Sequence, residues 1–467
     1  MRNFRLIAVA ALMIQLSWVL SRPLLAQEAP AQDQPALSGS IEDQVKALDK
    51  KVKELQKKAE AQGIIVVTQG TGGTGFPETG KEILWMKSAD ENVILNVGGV
   101  LQADGRFYVD NPKTEPTNTF LLRRARIIVQ GTLFHYYDFR IMPDFAGSTT
   151  VLYDAFLDIH YWMEARLRVG KFKPPIGLEQ LQEDRDVEFV ERALPTQLVP
   201  NRDVGAQLWG DLLGGTVTYY AGIFNGVPDA GNVVNGDKDT NNDKDYEGRI
   251  FTHPFKLSEI APLAGLGVGV SGSYGHERGA ANVPTYVTTG QSTFFSYLAT
   301  TIAAGGQSRI SPQGDYYWGP LGFLGEYVSS SLDVSNGAAG KLQRTARVVN
   351  QAWQTAATVV LTGEKASFIG VRPRNRFDPK NGNWGAFELA ARYSTLKVDG
   401  DAFPLFASAA VSARQAEAWG TGINWYLTSN VKAVVDYEQT DFKGGAAAGL
   451  GNRPVEKVVL SRFQIVF

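Results

Sequence analysis

Arginines recur at every second position in several short segments of the first half of the chain. Arg124 and Arg126 are two residues apart, and Arg166 and Arg168 repeat the spacing. A period of two places such residues on one face of a β-strand. Guanidinium groups hold carboxylate or phosphate oxygens in a planar fork of N–H donors, so a row of them predicts an anion-binding surface. The predicted row is Arg106, Arg124, Arg126, Arg140, Arg166 and Arg168, and Lys171, Lys173 and Arg202, near the two ends of the long connection at 174–202, are added to it as pore-lining, anion-binding candidates.

Aspartates share a face with these arginines, which leaves a second interpretation open. They are Asp104, Asp138, Asp144, Asp154 and Asp158. Arginine–aspartate ladders across neighbouring strands can stiffen a wall without binding any ion. For each arginine, anion binding and a purely structural role in the wall therefore both stay open.

The elements that carry these residues alternate between apolar and polar positions. Leu101, Ala103 and Phe107, for example, alternate with Gln102 and Asp104. This period predicts half-buried strands. The sequence predicts sixteen of them: 93–109, 120–133, 136–145, 151–162, 165–173, 203–212, 215–225, 246–255, 265–274, 306–318, 321–329, 347–361, 384–397, 414–427, 430–441 and 456–467.

The connections between these strands alternate between short and long. An even number of antiparallel strands with this alternation is typical of a transmembrane β-barrel, and sixteen strands leave an aqueous channel instead of a packed interior. One connection, 362–383, is long although it lies at the end of the barrel where short turns are expected. It indicates either an unusual turn or a miscounted strand. A segment at 292–299 competes with the strand at 306–318.

The last strand alternates as a membrane strand does. Phe463, Ile465 and Phe467 share one face, and Arg462 and Gln464 share the other. We expect this strand to pair with the first, so that no edge is left in lipid. Phe467 is then the residue that the outer-membrane assembly machinery is expected to recognise.

The long connection at 174–202, the constriction loop, is rich in acidic residues. In a wide barrel an ordered loop of this length is expected to fold inward and set the pore width. Its candidate residues are Glu183, Asp184, Arg185 and Arg192. The acidic excess argues against a simple anion filter, unless these carboxylates pair with the wall arginines and leave Lys171 and Lys173 to face the ion.

Composition excludes several classes of protein. The 467 residues are 44% hydrophobic and, beyond the leader, contain no apolar stretch of the roughly 20 residues that a membrane helix needs. The absence of cysteine excludes disulfides and thiolate metal sites. A formal charge of −2 gives no field that favours nucleic acid. No cofactor is expected.

The region before the barrel divides into four segments. Residues 1–26 have the basic start and apolar core of a signal peptide, which predicts export. Residues 27–40 form a linker, 41–62 a short α-helical coiled coil, and 63–90 a glycine-rich connector, with the barrel at 91–467. The coil either associates with other copies, lies against the barrel or stays a solvated helix. This N-terminal segment is expected in the periplasm.

Catalytic and metal sites have weaker support. The four histidines are scattered, and no serine stands in a Gly-x-Ser-x-Gly turn, so no catalytic residue is assigned and the protein is not expected to be an enzyme. Asp237 to Asp245 places oxygen ligands at alternate positions but lacks the glycine and closing glutamate of a calcium loop. A solvated loop is favoured, and no metal site is assigned.

Several motifs resemble the phosphate-selective porin O and P family. They occupy 122–126, 137–145, 168–175, 189–192, 200–205, 325–327, 387–393 and 462–464, and the resemblance covers about residues 90–467. It implies a homotrimeric channel of sixteen strands in the outer membrane, with an inward-folded third loop, lumenal arginines and a lysine-lined constriction that favours phosphate. Arg124, Arg126, Lys171, Lys173 and Arg202 lie in matching motifs. The acidic constriction loop departs from that pattern.

Several functions follow from these patterns. The favoured hypothesis is a porin for passive diffusion of small anions in contact with outer-membrane lipid, phosphate being the first candidate. A general non-selective porin and a structural tether to the cell wall through the coil are the alternatives. A barrel enzyme such as a lipase is the least supported.

Overall fold

The structure, a computed structural model, describes residues 66–67, 84–88, 90–109, 117–230, 239, 241–336, 344–446 and 451–467. The predicted signal peptide, linker and coiled coil lie outside the described residues, as does most of the glycine-rich connector. Among the described residues, no helix is both long and apolar enough to cross a membrane.

Sixteen antiparallel strands of the described chain form one closed barrel, which confirms the predicted number and order. They are β1 (Val93–Tyr108), β2 (Thr119–Leu133), β3 (Tyr137–Asp144), β4 (Val151–Trp162), β5 (Ala165–Phe172), β6 (Asp203–Leu212), β7 (Val217–Phe224), β8 (Asp245–Thr252), β9 (Leu266–Gly279), β10 (Thr301–Trp318), β11 (Leu321–Asn336), β12 (Arg344–Val360), β13 (Ala386–Lys397), β14 (Ala413–Tyr426), β15 (Val431–Gly444) and β16 (Glu456–Val466).

Four short strands lie outside this set. Val66–Val67 pairs with Leu84–Lys87, which in turn pairs with the start of β1. Thr285–Val287 and Thr293–Ser296 form a hairpin in the connection between β9 and β10. The segment predicted at 292–299 therefore belongs to a loop hairpin, and β10 is the barrel strand.

The barrel closes where β16 pairs with β1. Arg462 lies opposite Asp104 and Gln464 opposite Gln102, with all four side chains on the inner face. Beyond the strand, the backbone of Phe467 exchanges two hydrogen bonds with Gly99. The backbone carbonyl oxygen of Arg126 and the ring of Phe467 both occupy the position where a side chain on residue 99 would lie, so only glycine fits there.

The outward face of the barrel is apolar. Exposed aliphatic residues form a band around it, with aromatic residues at both ends. The band includes Leu101, Ile127, Ile141, Leu167, Leu208, Ile250, Val270, Ile310, Leu389, Ile423 and Val435. Exposed aromatics are Phe134, Tyr136, Tyr161, Trp162, Trp318, Trp384 and Phe467 at one end, and Phe120, Phe145, Tyr246 and Tyr274 at the other. This is the arrangement expected of a barrel in lipid.

The two ends of the barrel differ in their connections. The end where β2 joins β3, called the turn end, has mostly short connections; the opposite, loop end has mostly longer ones. The connection 253–265 is also long, and the main exception at the turn end is 361–385, where the described structure contains no further barrel strand. The alternative of an unusual turn is therefore correct. Its Phe368 packs against Leu178, Phe251 and Leu324, on the inner side of the barrel.

The interior is only partly open, which corrects the expectation of a channel with no packed interior. Inward-facing small and apolar residues of β11–β15 pack against the constriction loop and the hairpin at 285–296. The cluster includes Leu194, Leu198, Tyr286, Phe294, Phe295, Val328, Leu332, Val348, Leu396 and Ala418. The remaining space therefore lies on the side of the lumen lined by β3–β8.

Candidate functional site

The constriction loop, which with Lys173 connects β5 to β6, lies across the lumen. It contains a helical turn, Leu178–Leu181, and a 3-10 turn, Leu194–Leu198. Its backbone is anchored to strands of the packed side. The Leu178 amide donates to Glu326 at 2.6 Å, and the Val190 amide donates to Asp436 at 2.5 Å.

Neighbouring strands of the same side donate hydrogen bonds to the loop carbonyls. Asn424 donates to the Glu188 carbonyl at 2.9 Å, and Lys432 donates to the Val187 carbonyl at 2.7 Å. Gln464 donates to the carbonyl of Arg185 at 3.0 Å. The far wall, β11–β16, thus holds the loop largely through its main chain.

The arginine wall, β1–β5, holds the same loop through its carboxylates. Asp184 pairs with Arg126 and with Arg124, whose Nε lies 3.1 Å away, and also with Arg192 of the loop itself. Three guanidinium groups therefore surround one carboxylate, which is 4% exposed.

The other two loop carboxylates at this wall are paired as well. Glu183 lies 3.2 Å from Arg140. Glu191 lies 3.0 Å from Arg106 and 2.7 Å from Arg123. Although burial raises the pKa of Glu191, the charges of Arg123 and Arg106 outweigh that effect and hold its pKa well below the usual range.

Two β-bulges add side chains to this wall. In β2 the register steps from Arg124 opposite Gln102 to Leu122 opposite Ala103, so Arg123 is an extra residue. Arg123 and Arg124 consequently both face the lumen. A bulge redirects a side chain in this way by breaking the two-residue alternation.

A second bulge lies in β4. The register steps from Asp154 opposite Met142 to Leu152 opposite Pro143, so Tyr153 is the extra residue. Its ring lies 3.9 Å from the guanidinium carbon of Arg126 and 4.8 Å from that of Arg202. Sequence alternation alone assigned neither Tyr153 nor Arg123 to the site. The adjacent pair Arg123-Arg124 inside a strand was the available signal, because both can face inward only through a bulge.

Arg166 and Arg168 lie nearer the turn end. Both pair with Asp158, at 3.2 and 2.7 Å, and Arg166 also reaches Asp138 at 3.0 Å. Their guanidinium groups lie over aromatic rings, with Arg166 4.2 Å from the centre of Trp209. These two arginines therefore take part in the arginine–aspartate ladder foreseen as the structural alternative, and they also line a cavity.

Arg202 and Lys173 lie where the constriction loop meets the wall. Arg202 donates to Asp154 at 3.1 Å and to Asn201 at 2.8 Å, while its Nη2 has no acceptor among the described residues. Lys173 donates to the Gln182 carbonyl at 2.8 Å. Burial and the nearby charge of Arg202 lower the pKa of this loop lysine to about 7.

Lys171 requires a correction. The register places it opposite Ala155 and Val204, on the outward face of β5, whereas Phe172 lies on the inward face with Asp203. Lys171 is therefore not part of the lumenal row, although it is buried. Lys171 was grouped with Lys173 because both precede the constriction loop and lie in a motif that matches the family, whereas alternation from Arg166 and Arg168 places residue 171 on the outward face.

Arg185 also lies away from the arginine wall. It is buried beside Asp186, with 3.8 Å between its Nε and that carboxylate. Its carbonyl faces Gln464 of β16. Arg192 and Glu183, in contrast, lie at the wall as the sequence suggested.

Two parts of the space enclosed by the described residues meet at Arg202. The lumenal cavity, on the turn side, has a volume of about 590 Å³ and is lined by residues of β3–β8, the constriction loop and Phe368. A pocket of about 20 Å³ on the loop side is lined by Arg123, Arg124 and Glu191, among others. Arg202 lines both. We infer that the passage narrows here.

The cavity is also lined by residues that the sequence patterns did not indicate. They are Phe156, Phe172, Gln207, Trp209, Asp211, Tyr220, Arg249 and Phe368. Strand parity could have found Trp209 and Arg249, since each alternates with inward polar residues, Gln207 and Glu247. Phe368 could not be found this way, because its connection has no periodic pattern.

The described part of the acidic loop does not support a calcium site. Asp239 pairs with Lys244, and Asp243 lies 3.3 Å from Arg278. Residues 231–238 and 240 lie outside the described part. Among the described residues, no three or more histidine or carboxylate side chains are arranged to hold a metal ion.

A closed sixteen-stranded barrel, apolar outside and charged inside, with a loop folded across its lumen, is a porin of the outer membrane. The chain belongs to the phosphate-selective porin O and P family, which matches residues 95–467. The resemblance seen in the sequence is thereby confirmed.

Solved structures share the fold. The outer membrane channel DcaP of Acinetobacter baumannii has a TM-score of 0.52 and 12% identity, and the match covers 82% of this chain and 99% of that one. OmpF of Salmonella typhi in complex with daunomycin has a TM-score of 0.51 and 11% identity, covering 81% and 99%. No curated protein matches the sequence.

Proposed function

We propose that this porin conducts small anions by passive diffusion, phosphate being the first candidate. The observation that carries the proposal is the pairing of the constriction-loop carboxylates. Asp184, Glu183 and Glu191 each contact at least one arginine, so their charges are offset where the passage narrows. These pairs meet the first half of the condition that the sequence set for an anion filter, and of the two lysines in its second half only Lys173 lines the lumenal cavity.

The lining of the lumenal cavity supports the same conclusion. It carries Arg140, Arg166, Arg168, Lys173, Arg202 and Arg249 against Asp154, Glu183 and Asp211. Cations outnumber carboxylates on this surface, and fixed cations in a narrow lumen raise the local concentration of anions. A general non-selective porin, the alternative, would show no such preference.

The test is a planar bilayer experiment with the purified protein. In a KCl gradient, we expect a reversal potential on the anion side. Replacing chloride by phosphate on one side then ranks the two anions. A reversal potential at zero or on the cation side would refute the anion proposal, whereas equal permeation of phosphate and chloride would refute phosphate preference alone.

We also propose a homotrimer, as the family resemblance implies. The outer face across β15, β16, β1 and β2 forms a groove of about 630 Å³ with small residues such as Ala103, Gly105 and Ala433. A second copy would fill it. Ala433→Trp should shift the folded protein from trimer to monomer on an unheated gel, while Ala221→Trp on exposed β7 should not. An unchanged trimer in both variants would exclude this face.

The orientation follows from the two ends of the barrel. The turn end contains both the start of β1 and Phe467. We propose that it faces the periplasm, where the N-terminal segment would lie and where the assembly machinery would meet Phe467. Protease digestion of intact cells should then cleave the loop end only.

A further inference from the structure

The lumenal cavity is lined by flat aromatic rings as well as by guanidinium groups. Trp209 and Tyr220 stack with ring centres 5.8 Å apart and planes within 6°. We propose that this cavity binds small organic anions in which a carboxylate is attached to a flat aromatic ring. The inference rests on the anion channel proposed above and specifies which anions the pore retains longest.

Arginines lie over the faces of Trp209 and of a neighbouring aromatic ring, Phe156. Arg168 is 4.4 Å from the ring centre of Phe156 and 5.1 Å from that of Trp209. It contacts Asp158 through Nε and Nη2, and its side chain is still 23% exposed. A guanidinium group stacked in this way can present an N–H edge to a carboxylate while its face stays on the ring.

Arg202 supplies a donor that lacks an acceptor. The residue is 2% exposed, and its Nη2 has no hydrogen-bond partner among the described residues. A buried N–H without an acceptor is unfavourable, so an oxygen of a bound anion would satisfy it. Because Arg202 lines the cavity at its narrow end, a carboxylate is expected at this end.

The rest of the cavity suits an apolar group. Phe172, Pro175, Leu181 and Phe368 line it together with the aromatic pair. Its volume of about 590 Å³ is within the range of small-molecule sites. An aromatic ring placed here buries apolar surface, a gain that phosphate cannot make. The faces of aromatic rings also carry partial negative charge. This makes the lining less favourable for phosphate, which has no apolar part, than for an anion that carries an aromatic ring.

The experiment uses benzoate as the probe, added to single channels of the purified full-length protein in planar bilayers. Benzoate is expected to interrupt the current at concentrations about fivefold lower than cyclohexanecarboxylate, which has the same charge but no flat ring. Acetate should interrupt it least. Equal potency of benzoate and cyclohexanecarboxylate would overturn the proposal.

Two variants test the binding of benzoate separately from the anion selectivity of the channel. Trp209→Leu should weaken the benzoate block about fivefold, whereas Trp353→Leu, at an exposed outward position of β12, should leave it unchanged. Arg168→Lys keeps the charge but loses the stacked fork, so it should weaken the block as well. The KCl reversal potential is measured in the same bilayers and tests the anion channel independently. Equal benzoate block in wild type, Trp209→Leu and Arg168→Lys would refute the site even in an anion-selective channel.

Discussion

The two walls of this barrel hold the constriction loop in different ways. The arginine wall contacts the loop through ion pairs to Asp184, Glu183 and Glu191. The far wall contacts it mainly through hydrogen bonds to its backbone, from residues such as Asn424 and Gln464. We therefore propose that both walls hold the loop in place, and that only the charges of the arginine wall also set which ions pass.

The largest expected effect comes from the arginine wall. Asp184→Ala removes the carboxylate shared by Arg124, Arg126 and Arg192. Leaving buried charges without their partner costs about 3–5 kcal/mol, so the folded barrel should unfold at a lower temperature on gels of heated samples. The uncovered arginines should also increase anion selectivity.

Glu183→Ala is the matched control in the same loop. Glu183 contacts Arg140 at 3.2 Å, and its side chain is 34% exposed, so its loss should have a much smaller effect on unfolding. If the two variants lose equal stability, the shared carboxylate is not the main anchor at this wall.

An intermediate effect is expected from the far wall. Asn424→Ala removes a neutral donor to the Glu188 carbonyl and should destabilise the docked loop by about 1–3 kcal/mol. We expect larger fluctuations of the single-channel current with an unchanged reversal potential in KCl. Gln464→Ala, which removes the donor to the Arg185 carbonyl, should behave alike. A shift of ion selectivity in these uncharged variants would break the comparison between the walls.

The smallest effect concerns one lumenal charge. Because the pKa of Lys173 is lowered to about 7, this lysine is charged at pH 6 and largely neutral at pH 8. Anion preference should therefore decrease as the pH rises through 7. Reversal potentials measured at both pH values test this.

Lys173→Gln and Lys171→Gln form a matched pair for that measurement. The first should reduce anion preference slightly and flatten its pH dependence. The second changes the same charge on the outward face of β5 and should alter neither. If Lys171→Gln has the larger effect, the assignment of Lys171 to the outward face of β5 is wrong.

The sequence predicted the barrel because alternation is a local property. Each strand of a membrane barrel needs an apolar outer face, and turns interrupt the pattern, so all sixteen strands could be read from it. Inward positions such as Arg124, Arg140 and Arg168 followed from parity. The pairing of the acidic loop with these arginines was foreseen only as a condition, since partners far apart in the chain are not specified by spacing.

Most of the residues that escaped prediction share a cause. Arg123 and Tyr153 face inward because a bulge interrupts alternation. Lys171 has a different cause, since it was grouped with Lys173 beside the constriction loop although alternation from Arg168 places it outward. Phe368 lies in an irregular connection whose path depends on packing against the constriction loop. Alternation therefore no longer predicts which way a side chain points wherever the regular strand is interrupted.

The bulge at Arg123 gives the barrel a way to change its charge by length as well as by substitution. Removing this one residue would restore unbroken alternation between Leu122 and Arg124 without shifting the pairing on either side. The pore would lose a cation, and Glu191 would lose one of its two arginine contacts. A single-codon deletion could therefore retune ion preference during evolution while leaving the number of strands intact.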